Sequence, residues 1–412
     1  MEYDPKKCCM RKKVVLEREP YLAELDKWKD LPFIKIVTGV RRCGKSTLLK
    51  IFAQRLLKSG VRPEQIIEIN LEDLANQRLT DYQELHRYIL ERASNSGEYY
   101  IFLDEIQQVE NFQKAVDSLF LHDNFDIYLT GSNSHILSGE LATLLTGRYV
   151  QIEMLPLSLK EFKKAFPDKS AEELYKLYLS TTSFPFILEV PSESEFLDRI
   201  LDGLYNTVVV KDILSRVQLR EPTVLTKLTR FCFDSVGNRV SVAKLANSMT
   251  SAGTKTDNKT VEKYLRGLID AFVLYEVDRW DLKGKELLKS LKKYYAVDLG
   301  LRRTLLGSGS LADVGHLLEN VVFLELKRRG YKVFTGKLDE FEVDFVCTNG
   351  QEKIYIQVAA SVRDEEVLRR ELRPLLRIQD NFPKYLLTLD NDPKASIDGV
   401  HKINALDWLL SE

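Results

Sequence analysis

The sequence predicts an α/β protein whose first part is a doubly wound parallel sheet, that is, a sheet covered by helices on both faces. A glycine-containing loop at 39–46 separates a strand-like apolar run at 33–38 from a helical pattern at 47–52. A second apolar run, at 99–103, ends in two carboxylates. Further short apolar runs, at 66–71 and 125–130, alternate with amphipathic stretches. This alternation is typical of successive βα units with a parallel sheet.

The loop at 39–46 reads Gly-Val-Arg-Arg-Cys-Gly-Lys-Ser and fits the phosphate-binding pattern G-x-x-x-x-G-K-[ST], known as Walker A. Its glycines let several backbone N–H groups face one concavity, and the following helix terminus adds positive potential. We expect Lys45 to contact the β- and γ-phosphates and to act in catalysis, and Ser46 to bind Mg²⁺. The predicted nucleotide-binding residues are Gly39, Val40, Arg41, Arg42, Cys43, Gly44, Lys45, Ser46, Thr47 and Ser132. Arg41 and Arg42 either extend the phosphate cradle or face a partner.

The two carboxylates after the second run form a Walker B pattern. The carboxyl end of a buried parallel strand opens onto the ligand crevice of such a sheet. Asp104 is therefore the second predicted Mg²⁺ ligand beside Ser46, and Glu105 is the predicted group that polarises the attacking water. A solvated strand end is the alternative interpretation.

Two further candidates follow the next strands. Ser132 or Asn133, after the strand at 125–130, is placed to sense the γ-phosphate, although both are also ordinary turn residues. Arg148 precedes a last predicted strand and is a candidate arginine finger, in its own chain or towards a neighbour. A solvated surface arginine is the alternative.

Composition limits the class of protein. The formal net charge of the 412 residues is −1, so any basic surface that binds nucleic acid has to be local. Apolar runs all stay below the roughly 18 residues of a membrane-spanning helix. The charged amino terminus has no signal-peptide core, and we therefore expect a cytoplasmic protein without a membrane partner. The five scattered cysteines do not indicate a disulfide framework.

Residues 158–230 have mainly helical patterns, and 241–277 reads as helix, turn, helix and strand, the arrangement of a winged helix. DNA is a candidate partner of this element. Lys255, Lys259, Lys263 and Arg266 would contact phosphates. A protein-packing module is the alternative.

The basic stretch at 282–293 is expected to be a hairpin arm or an exposed loop, since most such runs are solvated.

In the last third of the chain, Glu319 lies on a predicted helix, and Asp344 and Gln357 lie on predicted strands. This pattern is similar to the PD-(D/E)XK nuclease fold, and the three residues stand at its acidic places. The lysine place holds Ala359, which supplies no cation. We therefore expect an α/β nuclease-like scaffold without nuclease activity, unless a lysine such as Lys332 or Lys353 enters the site.

Taken together, these segments resemble a prokaryotic AAA+-type P-loop ATPase family that carries a carboxyl-terminal domain of unknown function. The resemblance covers essentially the whole chain and rests on four motifs, which are 39–46, 103–107, 129–132 and 145–148. It implies an ATPase that uses ATP and Mg²⁺, with a protein client and an oligomer as possible partners. One departure is Thr182-Ser183-Phe184-Pro185, where the family often has Gly-Gly-Phe-Pro.

We predict four parts: a P-loop NTPase core with an amino-terminal helix at 1–157, a helical lid at 158–230, a winged-helix-like part at 231–298 and the nuclease-like domain at 299–412. The leading functional hypothesis is an ATP-driven conformational switch. The alternatives are a DNA-processing ATPase with a residual nuclease fold and a nucleotide-regulated protein scaffold that does not hydrolyse ATP.

Overall fold

A computed structural model describes residues 15–93, 97–134, 147–190, 194–206, 213–214, 221–307 and 313–411. Leu145 and Thr146 of the fourth motif lie outside these ranges, and everything that follows concerns the described residues.

The first sheet has five parallel strands in the order β2-β3-β4-β1-β5. Its strands are β1 Ile34–Thr38, β2 Ile66–Asn70, β3 Tyr99–Asp104, β4 Phe125–Gly131 and β5 Tyr149–Glu153. Four helices accompany them: α1 Glu19–Trp28, α2 Lys45–Lys58, α3 Tyr82–Arg92 and α4 Phe112–Phe120. Helices lie between successive strands from β1 to β4; the sequence predicts those after β1 and β2, but not α4 between β3 and β4.

Side-chain alternation along the strands separates two cores. Phe102 and Tyr128 pack with Phe52 of α2 on one face, whereas Ile101 packs with Ile89 of α3 on the other. Because successive strand residues point to opposite faces, one sheet is covered on both sides. The predicted doubly wound α/β core is therefore confirmed.

A mainly helical region follows the first sheet. It contains α5 Leu159–Ala165, α6 Ala171–Ser180, α7 Ser194–Leu204 and α8 Pro222–Asp234. Helices α5 and α6 both begin with a capping box, in which Ser158 pairs with Glu161 and Ser170 with Glu173. Each box satisfies two backbone N–H groups that a helix start would leave unpaired.

A second, mixed sheet joins the middle of the chain to its end. It has nine strands in the order β13-β14-β12-β11-β10-β9-β7-β8-β6. Its strands are β6 Arg239–Val240, β7 Leu274–Asp281, β8 Glu286–Ala296, β9 Lys332–Leu338, β10 Phe341–Asn349, β11 Glu352–Ala359, β12 Lys384–Thr388, β13 Ala395–Ile397 and β14 Val400–Asn404. The helices of this part of the chain are α9 Val242–Ser251, α10 Asn258–Asp270, α11 Leu299–Leu306, α12 Val314–Arg328, α13 Glu365–Leu376 and α14 Ala405–Leu410. Strand β7 pairs in parallel with β9, so the sheet runs without interruption across the predicted boundary at 298.

The basic stretch at 282–293 belongs largely to β8, which forms an antiparallel hairpin with β7, so the prediction of a hairpin arm is confirmed. Lys293, at its end, is only 2% exposed. The expectation that this stretch is solvated is wrong for Lys293, because carboxylates from distant elements surround its ammonium group.

The Thr182-Ser183 departure from the family pattern lies at a tight contact with α11. The backbone N–H and the hydroxyl of Ser183 both donate to Asp298 Oδ2, each over 2.6 Å. A Cβ atom on Gly300 would lie 1.8 Å from the carbonyl oxygen of Thr181. Gly300 of α11 therefore allows the close approach, without a glycine at position 182 or 183.

Within the described ranges, the helices are all too short or too polar to span a lipid bilayer.

Candidate nucleotide-binding site

The backbone of the loop between β1 and α2 favours glycine at positions 39 and 44. Gly39 has φ +146°, and a Cβ atom there would lie 2.1 Å from the carbonyl oxygen of Met154. Gly44 has φ +108° and is the N-cap of α2. Glycine adopts such angles without steric cost. Arg42, at φ +66°, is exposed and also adopts the left-handed region.

Lys45 is buried at the start of α2 and lies over this loop. Its ammonium group donates to the carbonyl oxygens of Gly39, over 3.0 Å, and Val40, over 3.3 Å. The first turn of α2 has neither an acidic residue nor a capping side chain. A helix start of this kind presents backbone N–H groups and a positive dipole end, which favour a bound anion.

Ser46 and Asp104 meet at the carboxyl edge of the sheet. The hydroxyl of Ser46 donates to Asp104 Oδ1 over 3.0 Å. Thr130 of β4 donates to the same oxygen over 2.6 Å and accepts the backbone N–H of Glu105 over 2.8 Å. The sequence analysis missed Thr130, although its position before the Gly-Ser turn on the neighbouring strand could have indicated it.

Glu105 is buried and adopts φ +54°, in the left-handed region. Its Oε1 atom lies 3.7 Å from the Lys45 ammonium, and its Oε2 atom accepts the hydroxyl of Ser132 over 3.0 Å. The amide of Gln107 also donates to this carboxylate. A non-glycine residue in the left-handed region is held there by its surroundings, and such residues cluster at functional sites.

The side chain of Gln107 adds a second indication of a ligand site. Its Oε1 atom is buried and, among the described residues, has no hydrogen-bond partner. Buried polar atoms in native proteins are nearly always paired with protein, water or ligand. Gln107 is the last residue of the 103–107 motif, but the motif alone gave it no predicted role.

The donor set fits Mg²⁺ and a nucleotide phosphate chain. A hydroxyl and a carboxylate oxygen are the ligands that Mg²⁺ takes beside phosphate oxygens. An ammonium group and backbone N–H groups are the matching donors for the phosphates. Ser46 and Asp104 would hold the ion, and Lys45 and the loop would hold the phosphates. Among the described residues, no cluster of three or more His, Cys, Asp or Glu side chains offers a separate metal site.

Other predicted residues have different environments. Arg41 forms an ion pair with Glu72 over 2.6 Å at the rim of the loop. Val40 and Cys43 are buried, Thr47 is exposed, and burial raises the pKa of the Cys43 thiol.

Arg148 does not reach the site of its own chain. Its carbonyl oxygen accepts the N–H of Ile34, the first residue of β1, and its side chain pairs with Asp117 of α4 over 2.7 Å. The loop follows the opposite end of β1, roughly 15 Å away at ~3.3 Å per strand residue. The interpretation of Arg148 as a finger within its own chain is therefore wrong. A contribution to a neighbouring chain stays a prediction.

The segment at 154–157, which follows β5, forms the floor of the loop. The N–H of Met154 donates to the carbonyl oxygen of Thr38 over 2.7 Å. Arg18, which is 4% exposed, donates to the carbonyl oxygens of Leu155 and Cys43 and pairs with Glu161. Arg18 precedes α1, so a residue far from the motif in sequence ties the loop to its floor.

Family comparisons agree with this geometry. A family model described as an AAA domain matches residues 32–163, and a domain of unknown function matches residues 172–312. An uncharacterised protein of Haemophilus influenzae is 40% identical over 97% of this chain and 99% of its own length. One from Methanocaldococcus jannaschii is 32% identical over 80% of this chain and 75% of its own length.

Solved structures with partial similarity include the Aeropyrum pernix Orc1 protein in complex with DNA. It has a TM-score of 0.31 and 12% identity, over 73% of this chain and 95% of that one. AMPPCP-bound DnaA from Aquifex aeolicus has a TM-score of 0.31 and 15% identity, over 62% of this chain and 88% of that one.

The two sequence relatives match over most of their own lengths, and the matched AAA domain covers the loop, the Walker B strand and the floor segment. The chain therefore belongs to the family of these two proteins, and its residues 32–163 match an AAA domain that contains the P-loop.

Proposed function

We propose that this protein binds ATP with Mg²⁺ at the 39–46 loop, hydrolyses it and acts as a conformational switch. The observation that carries the proposal is the meeting of four side chains in one pocket. Ser46 lies 3.0 Å from Asp104, and Lys45 lies 3.7 Å from Glu105.

Each of these side chains has a role that its position supports. Lys45 would leave the loop carbonyls for the β- and γ-phosphates. Bound at Ser46 and Asp104, Mg²⁺ would neutralise charge on the phosphate oxygens. Glu105 would orient a water molecule and accept its proton. Ser132 and Gln107 hold this carboxylate in place, so both act as positioning residues for it.

The switch part of the proposal rests on the floor segment at 154–157. Helix α12, which lies in the last third of the chain, contacts this region. Arg328 donates to the carbonyl oxygen of Pro156 over 2.9 Å, and Lys327 pairs with Glu153 over 3.0 Å. Met154 of the same region contacts Gly39 of the loop. A shift of the loop on nucleotide binding would therefore move the backbone that α12 contacts.

Replacement of the loop lysine tests nucleotide binding. Lys45→Ala should weaken ATP binding by about 3 kcal/mol, which is roughly a hundredfold, because a charged phosphate contact is lost. Isothermal titration calorimetry with ATP and Mg²⁺ measures it. Lys50→Ala, on an exposed position of the same helix, is the matched control and should bind normally. Tight binding by Lys45→Ala would refute the assignment of the pocket.

Replacement of the strand-end glutamate separates hydrolysis from binding. Glu105→Gln should retain ATP binding and lower phosphate release by about 10²- to 10⁴-fold, the usual contribution of a general base. Steady-state phosphate release and ATP binding are measured together. Glu110→Gln, an exposed neighbour, should be unaffected. Unchanged, measurable phosphate release in Glu105→Gln would contradict the role of Glu105, whereas ATP binding without phosphate release in the wild type would favour the scaffold that does not hydrolyse ATP.

A second candidate function, contact with duplex DNA, is favoured by the exposed face of α10. Lys259, Lys263 and Arg266 recur at helical spacing on this face, and the Arg266 side chain is 70% exposed. Asp270 pairs with Arg266 over 3.3 Å, and Glu262 shares the face, so the positive field is local. The surrounding elements, α8 to β8, have the order helix, strand, helix, helix and hairpin, which supports a winged helix with α10 as its recognition helix.

Neutralising this face tests the DNA contact. The triple variant Lys259→Gln, Lys263→Gln, Arg266→Gln should weaken DNA binding and reduce the slope of log K against log salt by about 2 to 3. Fluorescence anisotropy with a labelled duplex measures both. The control triple Lys27→Gln, Lys50→Gln, Lys58→Gln removes equal charge elsewhere. Equal effects of the two triples would exclude α10 as the contact.

A further inference from the structure

A buried lysine sits among three carboxylates in the second sheet. The ammonium nitrogen of Lys293 lies 2.8 Å from Glu319, 2.9 Å from Glu342 and 3.4 Å from Asp344. The side chains of Lys293, Glu319 and Asp344 are 3%, 7% and 12% exposed. We call these four residues the lysine–carboxylate cluster.

The cluster is assembled from separate elements. Lys293 comes from β8, Glu319 from α12, and Glu342 and Asp344 from β10. The sequence distances from Lys293 to Glu319 and Asp344 are 26 and 51 residues. The ammonium group therefore joins the hairpin strand of the middle region to the carboxyl-terminal domain.

Further partners fix the orientation of each carboxylate. Tyr295 donates to Glu319 over 2.6 Å, and the N–H of Val358 donates to Asp344 Oδ2 over 3.0 Å. Arg239 pairs with the second oxygen of Glu342 over 3.0 Å. In Glu342 and Asp344 these partners leave the other carboxylate oxygen to the ammonium, whereas Tyr295 and Lys293 share Oε1 of Glu319. The ammonium has three N–H groups to donate, one for each carboxylate.

The charge states agree with this arrangement. Burial, reinforced by Glu319, raises the pKa of Asp344 to about 7, although Lys293 opposes the shift. Burial alone would lower the pKa of Lys293, but the three carboxylates outweigh it and raise that pKa above its ordinary value. The lysine is therefore held in its charged form.

Carboxylate oxygens converging from a helix and a strand form the type of surrounding that hard divalent cations take. In the nuclease-like fold that the sequence predicts, this position would belong to Mg²⁺. The residues present do not fit that ion. The ammonium group of Lys293 lies between the carboxylates. The side-chain oxygen of Gln357 accepts the backbone N–H of Asp344, and its side-chain nitrogen donates to Glu371.

Neither of the two lysines that the sequence analysis considered enters the cluster. Lys332 is exposed, and the ammonium of Lys353 lies 5.1 Å from the centre of the Trp280 ring. Ala359 offers no cation. The lysine of this cluster thus comes from a strand outside the nuclease-like pattern.

We propose that the ammonium group of Lys293 takes the place of a divalent cation in the lysine–carboxylate cluster, so that this domain binds no catalytic metal there and cleaves no phosphodiester. The cluster instead holds β8 against α12 and β10 through the attraction between the ammonium group and the carboxylates. Removing the ammonium would leave three converging carboxylates that a divalent ion can bind.

The test uses the full chain without nucleotide and with Mn²⁺ alone as the probe. Lys293→Ala should unfold several degrees below the wild type in EDTA, because buried carboxylates lose their partner. Mn²⁺ should restore most of this loss, whereas the wild type should respond little. In the double variant Lys293→Ala, Asp344→Asn, the rescue should disappear. Lys292→Ala is the matched control, since this neighbour pairs with Glu276 instead of the cluster.

Two results would overturn the inference. One is an absence of Mn²⁺ rescue in folded Lys293→Ala. The other needs only wild-type protein and Asp344→Asn, and so remains informative if Lys293→Ala does not fold. If electron paramagnetic resonance shows that wild type binds one more Mn²⁺ than Asp344→Asn, or if wild type has a Mg²⁺-dependent DNA cleavage that Asp344→Asn lacks, a divalent ion occupies the cluster.

Discussion

The close contact between Gly39 and the carbonyl of Met154 constrains most of this structure. The P-loop can lie on the floor segment at 154–157 only because position 39 has no side chain. The same segment is bonded to Thr38 on one side and to Arg328 on the other. The P-loop and helix α12 therefore contact the same piece of backbone, which would carry the proposed mechanical connection between them.

At the carboxyl edge of the first sheet, the charged side chains of the site are already paired with one another or with hydroxyl groups. Asp104 is held by two hydroxyl groups, and Glu105 is held by Ser132 and Gln107 close to the Lys45 ammonium. A triphosphate and its metal ion would exchange these internal contacts for stronger charged ones. The second sheet shows the opposite arrangement, since its carboxylates are closed around the chain's own lysine.

Local sequence was sufficient for the first sheet and for the core of its site. All five strands lie where the sequence predicts a strand, and the loop and the strand-end carboxylates meet because parallel strands end at one edge. Helix α4 was missed, because it starts after Asn111 in the left-handed region without a capping side chain. Arg18 and Lys293 were missed for another reason. Their partners are distant in sequence, and a charged residue gives no local sign that it will be buried.

Hydrogen–deuterium exchange with and without ATP and Mg²⁺ tests the central claim most directly. We expect slower exchange both in the loop at 39–46 and in the floor segment at 154–157, and no change in the Lys45→Ala variant. Protection of the loop alone would contradict the mechanical connection to the floor. Unchanged exchange in both segments would contradict the nucleotide site itself.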